Sequence, residues 1–356
     1  MKNKNINYQI LFCLLLVGFY ACKSSTNKEH SEKRIITDMA GRKVEIPEKI
    51  TSIFIDRHSA TLVYAFDTAI TVNAVFKYND TEKKYLKPCF YKNKPYVIEG
   101  GSDEEIVRLH PDVIFSSQFI TKENIDKANQ LQERVHIPVI FIDMKINRYK
   151  EAFTFVGKLL EKPEKAKELS EFVQHYIDSI PIKAIKIPAD KKQRVYYAEG
   201  IDGLKTDPTG SVHSLLLDSV GVVNVAQVEV LSGKGMTDVS LEQIYVWNPE
   251  IILVWSGNFN DMYSYKAIET NPIWKNLSAV KNHKVYQVPW KPFGWIDRPP
   301  GVNRIIGYIW LAHLMHPDIY PFDMVKITKE YFQKFFHYSM TDNEAIEILN
   351  PQPKIR

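Results

Sequence analysis

The sequence predicts an α/β protein with two similar lobes, each a mostly parallel sheet covered by helices, joined by one long helix. Three observations lead to this prediction. First, the segment "EEIVRLHPDVIF", which begins at Glu104, recurs as "EQIYVWNPEIIL", which begins at Glu242, at an offset of 138 residues. Second, strand patterns alternate with helix patterns, and the strands are apolar on both faces, as in parallel sheets covered on both sides. Third, the middle of the chain is helical and has no Gly/Ser linker.

The N-terminal residues predict export and anchoring. "MKNKNINYQ" is a short basic region, and "ILFCLLLVGFYA" is an apolar core with the length of a secretory signal. Ala21 precedes Cys22, and the polar stretch "KSSTNKEHSEK" follows. We therefore predict a signal peptide over 1–21, a lipidated Cys22 and a tether over 22–33, although the two residues before Ala21 are bulkier than usual. The alternative is a plain signal peptide with an incidental cysteine.

Cysteine use agrees with this prediction. Cys13 leaves with the leader and Cys22 carries the lipid, so Cys89 is the one cysteine left in the mature sequence. A disulfide framework is therefore not expected, and a domain of this size buries enough apolar surface to fold without one. We expect Cys89 to be a small buried apolar residue rather than a nucleophile.

Length and composition are those of a globular protein with two domains. A chain of 356 residues is too long for one ordinary core, and 45% hydrophobic and 25% charged residues are ordinary values. The formal net charge is only +4 and no Lys/Arg-rich block lies beyond the leader, so nucleic acid is not an expected partner. Aromatic residues make up 12%, which favours a surface that binds something planar or apolar.

The N-terminal lobe is predicted over 34–147. "RIITDMAGRKVEIP" alternates about a Gly-containing turn and predicts a β-hairpin. "ITSIFID", "PDVIFSS" and "IPVIFID" predict buried strands, with helices in "HSATLVYAFD" and "NIDKANQLQERVH". "SDEEIVRLH" begins with a capping residue and has Glu in its first turn, which predicts a short helix.

Two helical patterns over 148–187 predict the bridge, and the lobe pattern then restarts over 188–356. "RVYYAEG", "PEIILVW" and "KVYQVP" predict strands, and "SLEQIYVW" is the short helix again. The repeat therefore covers a helix–strand–helix–strand unit, and two such lobes enclose a cleft. In open α/β sheets, ligands bind beyond the carboxyl ends of the strands and in clefts between domains.

Three segments carry a family resemblance: "ITDMAGRKVEIPEKITSIF", the paired E-x-I-x-x-x-x-P-[DE] units, and "KVYQVPWKPFGWIDRPPGVNR". From about Arg34 to about His337 the chain resembles the substrate-binding proteins of ABC importers, in the helical-hinge class that captures ferric siderophores, haem or corrinoids. The resemblance implies a monomeric receptor in the cell envelope that faces the periplasm, has no cofactor and is not an enzyme. The implied partners are the ABC permease with its ATPase, a small-molecule iron complex, and the membrane through the lipid anchor.

In that family one exposed Glu on each lobe docks on arginines of the permease. Glu104 and Glu242 hold the matching positions, seven residues before the proline of each unit. The resemblance therefore implies that these two residues are the docking residues. The alternative is that each Glu only interacts with the positive end of its short helix.

In the N-terminal lobe, the candidate ligand-binding residues follow strands. Arg57 and His58 begin a helix directly after one strand, and Gln118 with Phe119 follows another. The Arg fork and a helix N-terminus both favour carboxylate, phosphate or catecholate oxygens. The alternatives are a surface ion pair for Arg57 and ordinary helix-start or loop positions for the others.

In the C-terminal lobe, the segment "YYAEGIDGLKTDPTGS" also follows a strand and is rich in glycine and polar groups. Tyr197, Glu199, Lys205 and Thr206 are its candidates for the cleft. The alternative is a plain surface loop.

The segment 289–301, "PWKPFGWIDRPPG", is the strongest candidate for one wall of the cleft. Its four prolines and two glycines exclude a helix or a central strand. Trp290, Phe293 and Trp295 are not easily buried together in a loop, so we expect them to face a flat or apolar ligand. Arg298 adds a cation opposite the one from the N-terminal lobe, and the two would hold an anionic complex. The alternative is a loop packed against its own lobe.

An exported, lipid-anchored enzyme with a two-lobe cleft is the alternative of another class. The sequence has no G-x-S-x-G, no G-x-G-x-x-G after a strand, no P-loop and no H-E-x-x-H. "HLMH" (313–316) has the wrong spacing for a zinc helix, and a structural role is expected for both histidines. Without a visible cluster of three or four N/O ligands, no metal site is predicted.

The cargo is less constrained than the class of protein. Arginines and aromatic residues favour a ferric siderophore, which is anionic and partly aromatic. Haem, with Tyr197 or His58 as axial ligand, remains open, as do a corrinoid and an oxyanion such as molybdate. In each case the cargo is captured in the cleft with little lobe movement, because the bridge is stiff, and is then released to the importer.

Overall fold

The computed structural model describes residues 32–67, 70–72, 77–94, 97, 101–230, 235–255, 263–298 and 300–351. The predicted signal peptide, Cys22 and most of the tether lie outside these residues. Within them, no helix is both long enough and apolar enough to span a bilayer.

The N-terminal sheet has four parallel strands behind a β-hairpin. Its strands are β1 (Lys33–Thr37) and β2 (Lys43–Pro47) in the hairpin, then β3 (Ser52–Ile55), β4 (Thr71–Val72), β5 (Val113–Gln118) and β6 (Val139–Asp143). The sheet order is β4-β3-β5-β6. The hairpin covers the β6 edge, where the backbone N–H of Phe141 donates to Oδ2 of Asp38 (3.0 Å).

Helices lie on both faces of this sheet. They are α1 (Arg57–Ala65), α2 (Asp80–Tyr85), α3 (Asp103–Leu109) and α4 (Lys122–Val135), and a 3₁₀ turn spans Pro88–Phe90. The predicted cap of α3 is confirmed as a capping box. Ser102 Oγ accepts from the N–H of Glu105 (3.2 Å), and Glu105 Oε2 accepts from the N–H of Ser102 (2.9 Å).

The bridge is a run of helices. After a 3₁₀ turn at Ile146–Arg148 it comprises α5 (Tyr149–Leu159), α6 (Pro163–Tyr176) and α7 (Ser179–Ala184), before a 3₁₀ turn at Ala189–Lys191. It differs in one detail from a single long helix, because α6 ends at Tyr176. Pro181 has no N–H, and its ring would clash with the carbonyl of Ile177 in a continuous helix.

The C-terminal sheet repeats the N-terminal one. Its parallel strands are β7 (Arg194–Ala198), β9 (Val223–Asn224), β11 (Ile251–Val254) and β12 (Val285–Gln287), with an antiparallel pair β8 (Lys205–Thr206) and β10 (Thr237–Asp238) beside them. The order β12-β11-β7-β9 is the N-terminal order read from the other edge. Its helices are α8 (Leu215–Ser219), α9 (Leu241–Trp247), α10 (Tyr263–Thr270) and α11 (Ser278–Lys281).

Three further helices end the described chain: α12 (Asn303–Met315), α13 (Met324–Phe336) and α14 (Asp342–Leu349). The last two pack on the N-terminal half. Nε2 of His337 lies 3.0 Å from the carbonyl oxygen of Tyr64 in α1, and Lys84 pairs with Glu344 (2.8 Å). The domain boundaries 34–147, 148–187 and 188–356 stay predictions.

The repeated segments have the same structure in both halves. α3 and α9 each begin after a serine cap, Ser102 and Ser240, and each ends at a residue in the left-handed region, His110 (φ 47°) and Asn248 (φ 39°). In each half the backbone N–H of the acidic residue after the proline then donates to the neighbouring strand. The two segments lie in separate sheets, which confirms the prediction of two α/β units.

Both sheets are covered on both faces, as the uniformly apolar strands predict. Ile114 of β5 and Ile252 of β11 pack into two small outer clusters. Val113 and Ile251, their neighbours, point the other way into one large cluster that runs through the bridge to α12 and α13. The core therefore lies between the halves and fixes the junction described next.

Candidate functional site

The two halves of the chain meet where the segment 289–301 reaches α1. The backbone N–H of Val302 donates to Oγ1 of Thr61 (3.2 Å), and the hydroxyl of Tyr149 donates to the carbonyl oxygen of Gly301 (2.7 Å). A Cβ at Gly301 would overlap Oγ1 of Thr61, so glycine permits this close approach. α12 thus begins against the first two turns of α1, and the N-terminal ends of both helices carry partial positive charge at the junction.

Two of the predicted ligand-binding residues come together on the N-terminal side. Oδ1 of Asp56 caps α1 by accepting from the N–H of Ser59 (2.7 Å), which fixes the turn after β3. Nε2 of Gln118, at the end of β5, lies 3.0 Å from Nδ1 of His58. The side chain of Arg57 lies outside the described part of the structure, so its role stays a prediction.

A buried arginine that is not among the predicted residues lies at the same junction. Arg304 is the second residue of α12 and is 1% exposed, and its Nε and Nη1 have no hydrogen-bond partner among the described residues. Its guanidinium lies 5.7 Å from the ring centroid of Phe119, which follows β5. Burial raises the pKa of Tyr149 to about 12, and the charge of Arg304 opposes this rise, as expected of a nearby cation. Two buried guanidinium nitrogens without hydrogen-bond partners are unfavourable, and an anion would relieve that cost.

On the C-terminal side, carboxylates surround Arg298. Nη1 donates to Oε1 of Glu199, Nη2 donates to Oδ2 of Asp207 (2.8 Å), and Oδ2 of Asp297 lies 2.6 Å from Nη1. The three acidic residues are at most 2% exposed. Arg298 is therefore not a free cation, because carboxylates of its own half of the chain already pair with it, and the ligand-binding role of Arg298 and Glu199 stays a prediction.

Two carboxyl groups of this set differ in the direction of their pKa shifts. Burial raises the pKa of Glu199 well above its usual range, and the charge of Asp207 raises it further, although Arg298 opposes the rise. Burial also acts to raise the pKa of Asp207, but its interaction with the carboxyl group of Glu199 and the charge of Arg298 outweigh burial and lower the pKa. The pKa values of these two neighbouring carboxyl groups are therefore shifted in opposite directions.

The other C-terminal candidates do not form an open surface. Tyr197 and Thr206 are fully buried, and burial, followed by the charge of Glu199, raises the pKa of Tyr197 well above its usual value. Lys205 is paired with Asp238 across β8 and β10 (2.7 Å). These residues support the loop after β7 rather than present free donors, and their ligand-binding role stays a prediction.

The predicted aromatic wall is mostly buried. Phe293 and Trp295 are 3% and 1% exposed, so the expectation that such a loop cannot bury its aromatic rings is wrong for both. Trp295 donates from Nε1 to the carbonyl oxygen of Lys291 (3.0 Å), and Phe293 lies 6.1 Å from Phe336 of α13 between ring centroids. The C-terminal helices cover the segment, which is why it packs as core. Trp290 alone of the three is partly exposed.

Two expectations about single residue types have opposite outcomes. Cys89 is exposed, so the prediction of a buried apolar cysteine is wrong; it lies in the short 3₁₀ turn on the surface. The structural role of the "HLMH" histidines is confirmed. Nδ1 of His313 lies 2.9 Å from the carbonyl oxygen of Tyr320, and Nε2 of His316 lies 3.2 Å from that of Gly221.

The predicted docking residues occupy equivalent surfaces. Glu104 and Glu242 are exposed in the first turns of α3 and α9. An exposed apolar side chain follows each of them by three residues, Val107 (42% exposed) and Tyr245 (36% exposed). The two lobes therefore present matching acidic and apolar surfaces, and docking through them stays a prediction.

Comparison with known proteins gives one family. The profile of the periplasmic binding protein family matches residues 31–292. The molybdate-binding protein MolA of Haemophilus influenzae is 26% identical, over 97% of this chain and 99% of its own. The Fe(3+)-citrate-binding protein YfmC of Bacillus subtilis is 26% identical over 78% of this chain and 86% of its own. A putative ABC transporter substrate-binding lipoprotein of Bacillus subtilis, YhfQ, is 24% identical over 86% of this chain and 96% of its own.

Solved structures agree with the sequence comparison. An ABC transporter solute-binding protein from Sulfurospirillum deleyianum has a TM-score of 0.79 and 29% identity, and the match covers 88% of this chain and 98% of that one. MolA bound to molybdate has a TM-score of 0.65 and 25% identity, with 86% of this chain and 99% of that one covered.

Proposed function

Because this chain belongs to the periplasmic binding protein family and is a substrate-binding protein of an ABC importer, we propose that it carries a compact metal oxyanion of the molybdate type. It is a transport receptor and not an enzyme, and its protein partner is an ABC permease. The observation that supports this cargo is the buried Arg304, whose Nε and Nη1 have no partner in the described part of the chain.

The junction has the electrostatics that a small dianion needs. The N-terminal ends of α1 and α12 supply partial positive charge, and Arg304 supplies a full charge in a buried environment. Each hydrogen bond from a charged donor to the oxyanion would contribute about 1.5–3 kcal/mol. Gln118 and His58, whose Nε2 and Nδ1 atoms lie 3.0 Å apart, are further polar side chains at the same edge of the sheet.

The sequence favours a ferric siderophore first, but the two physical arguments for that cargo, a free arginine and exposed aromatic rings, are not met. Arg298 is neutralised by its own carboxylates, and Phe293 and Trp295 are buried rather than available for a flat ligand. A compact, oxygen-rich anion needs neither a free Arg298 nor exposed aromatic rings. The full-length similarity to a protein named for molybdate supports the same choice.

Isothermal titration of the purified full chain with sodium molybdate tests the proposal. We expect one binding site per chain. Arg304→Gln should weaken binding by about tenfold to a hundredfold, since it removes one or two charged hydrogen bonds. Arg108→Gln, which changes an exposed arginine of α3, should leave the affinity unchanged. Circular dichroism of both variants excludes unfolding as the cause.

Two results would contradict the proposal. If ferric citrate or a ferric siderophore binds and molybdate does not, the cargo is an iron complex. If molybdate binds equally to the Arg304→Gln variant, the site is not at the junction.

We also propose that the receptor is anchored to the envelope membrane by a lipid on Cys22. Similarity to a protein named as a substrate-binding lipoprotein supports this, together with Ala21-Cys22 after an apolar leader. Mass spectrometry of the protein from membranes should show an acylated N-terminal cysteine, and Cys22→Ala should release the protein from the membrane fraction. An unmodified mature N-terminus at another residue would contradict the anchor.

A further inference from the structure

Two segments that are distant in the sequence bring a second set of polar groups together on the C-terminal side. Asp207 follows β8, His213 precedes α8, and Asp297 lies in the proline-rich segment. One ligand atom from each lies within 4.8 Å of those from the other two. Both carboxylates are at most 2% exposed, and the imidazole is partly buried. Two carboxylates and one imidazole are ordinary ligands for first-row divalent metal ions.

The hydrogen bonding within this set is incomplete. Oδ2 of Asp297 lies 2.7 Å from Nδ1 of His213 and 2.6 Å from Nη1 of Arg298, yet neither contact is aligned as a hydrogen bond. Oδ2 of Asp297 and Nδ1 of His213 are both buried without a hydrogen-bond partner in the described part of the chain. Two close, buried ligand atoms that are not bonded to each other are the arrangement that a shared cation would satisfy.

Neighbouring residues add two more buried oxygens without partners. Among the described residues, neither the hydroxyl of Tyr197 nor Oε2 of Glu199 has a hydrogen-bond partner, and both residues are 0% exposed. Tyr197 interacts electrostatically with Glu199, Asp297 and Asp207, as expected of a group beside them. A bound cation would give these buried oxygens the partner that the described residues do not supply.

The net charge of the buried groups also favours a bound cation. Glu199, Asp207 and Asp297 face one guanidinium, that of Arg298, which leaves two negative charges in excess when all three carboxylates are ionised. Buried charge of this size is costly unless it is compensated. A divalent cation would compensate this charge.

We propose that Asp207, His213 and Asp297 bind one first-row divalent metal ion, for which Zn²⁺ is the probe. Glu199 and Arg298 lie beside the site: Glu199 offers a further oxygen, and Arg298 donates a hydrogen bond to Asp207 and forms an ion pair with Asp297. Metal ligands bind in their deprotonated form, so protons compete with the metal and the affinity falls as pH falls. None of the three ligand residues is part of the cargo proposal, which rests on Arg304, so the two proposals are tested separately.

Zinc titration of the EDTA-treated, dialysed full chain tests the proposal. We expect one Zn²⁺ per chain, with proton release measured from the dependence of the titration heat on the buffer. His213→Ala should weaken Zn²⁺ binding at least tenfold. His136→Ala, which removes an exposed histidine at the end of α4, is the matched control and should not change it.

Asp297→Asn provides a second variant and keeps the size of the buried side chain. We expect it to lower the affinity as well, and its circular dichroism shows whether it folds. The proposal is overturned if the native chain binds no Zn²⁺, or if His213→Ala binds it as tightly as the native chain does. Molybdate titrated into the EDTA-treated chain tests the cargo separately, so failure of one proposal is not failure of the other.

Discussion

Gly307 fixes the proline-rich segment to α12, and its replacement should destabilise the protein. A Cβ at this position would overlap the carbonyl oxygen of Trp295 and lie 3.1 Å from the Cβ of Trp295. A backbone carbonyl cannot rotate away, so the segment that carries Trp295 must move. Trp295 is 1% exposed, and loss of the packing of such a ring costs about 3–5 kcal/mol. Alanine recovers about 1 kcal/mol of helix propensity.

Gly307→Ala should therefore lower the free energy of unfolding by about 2–4 kcal/mol, which corresponds to a Tm lower by about 4–10 °C in a chain of this size. Thermal unfolding followed by circular dichroism measures the shift. Gly210→Ala is the control for backbone strain without a clash, because its φ of 85° disfavours alanine but no neighbouring atom lies within 4 Å of its Cβ, and its Tm should fall less than that of Gly307→Ala. An unchanged or higher Tm for Gly307→Ala would refute the reasoning that the segment is held rigidly on α12.

Two further predictions concern docking and the C-terminal helices. Replacing both Glu104 and Glu242 with Lys should abolish uptake in cells while titration of the purified variant shows unchanged cargo affinity; normal uptake would remove the docking assignment. Hydrogen bonds, first of all from Lys84, lower the pKa of Glu344 to about 2, so its stabilising contribution is present above the unfolded value of about 4.3 and is lost as the pH falls from there towards 2. Glu344→Gln should lower Tm at pH 7 and have no effect near pH 2, and a Tm difference that is independent of pH would contradict this account.

The fold was predictable because its signals are local and repeated. Ser102 and Ser240 cap their helices through contacts three residues away, and Pro111 and Pro249 stop each helix before the next strand. Such signals need no knowledge of distant residues. Pro181, which prevents one continuous helix in the bridge, was also visible in the sequence. By itself it was not enough to predict a run of separate helices.

The site was less predictable because its chemistry depends on long-range burial. Phe293 and Trp295 are core residues only because α12 and α13 return to cover them. Arg298 is neutralised by residues almost a hundred positions earlier in the chain. Arg304 had one available signal, its position two residues into a helix that follows "RPPGV", but periodicity cannot show that its guanidinium is buried.

The most direct test of the central claim is a crystal structure of the protein with tungstate, which matches molybdate in shape and charge and is located by its anomalous scattering. The account predicts one tungsten peak between the two sheets, with oxyanion oxygens at hydrogen-bond distance from the guanidinium of Arg304. A tungsten peak away from this arginine, or none at saturating tungstate, would contradict it.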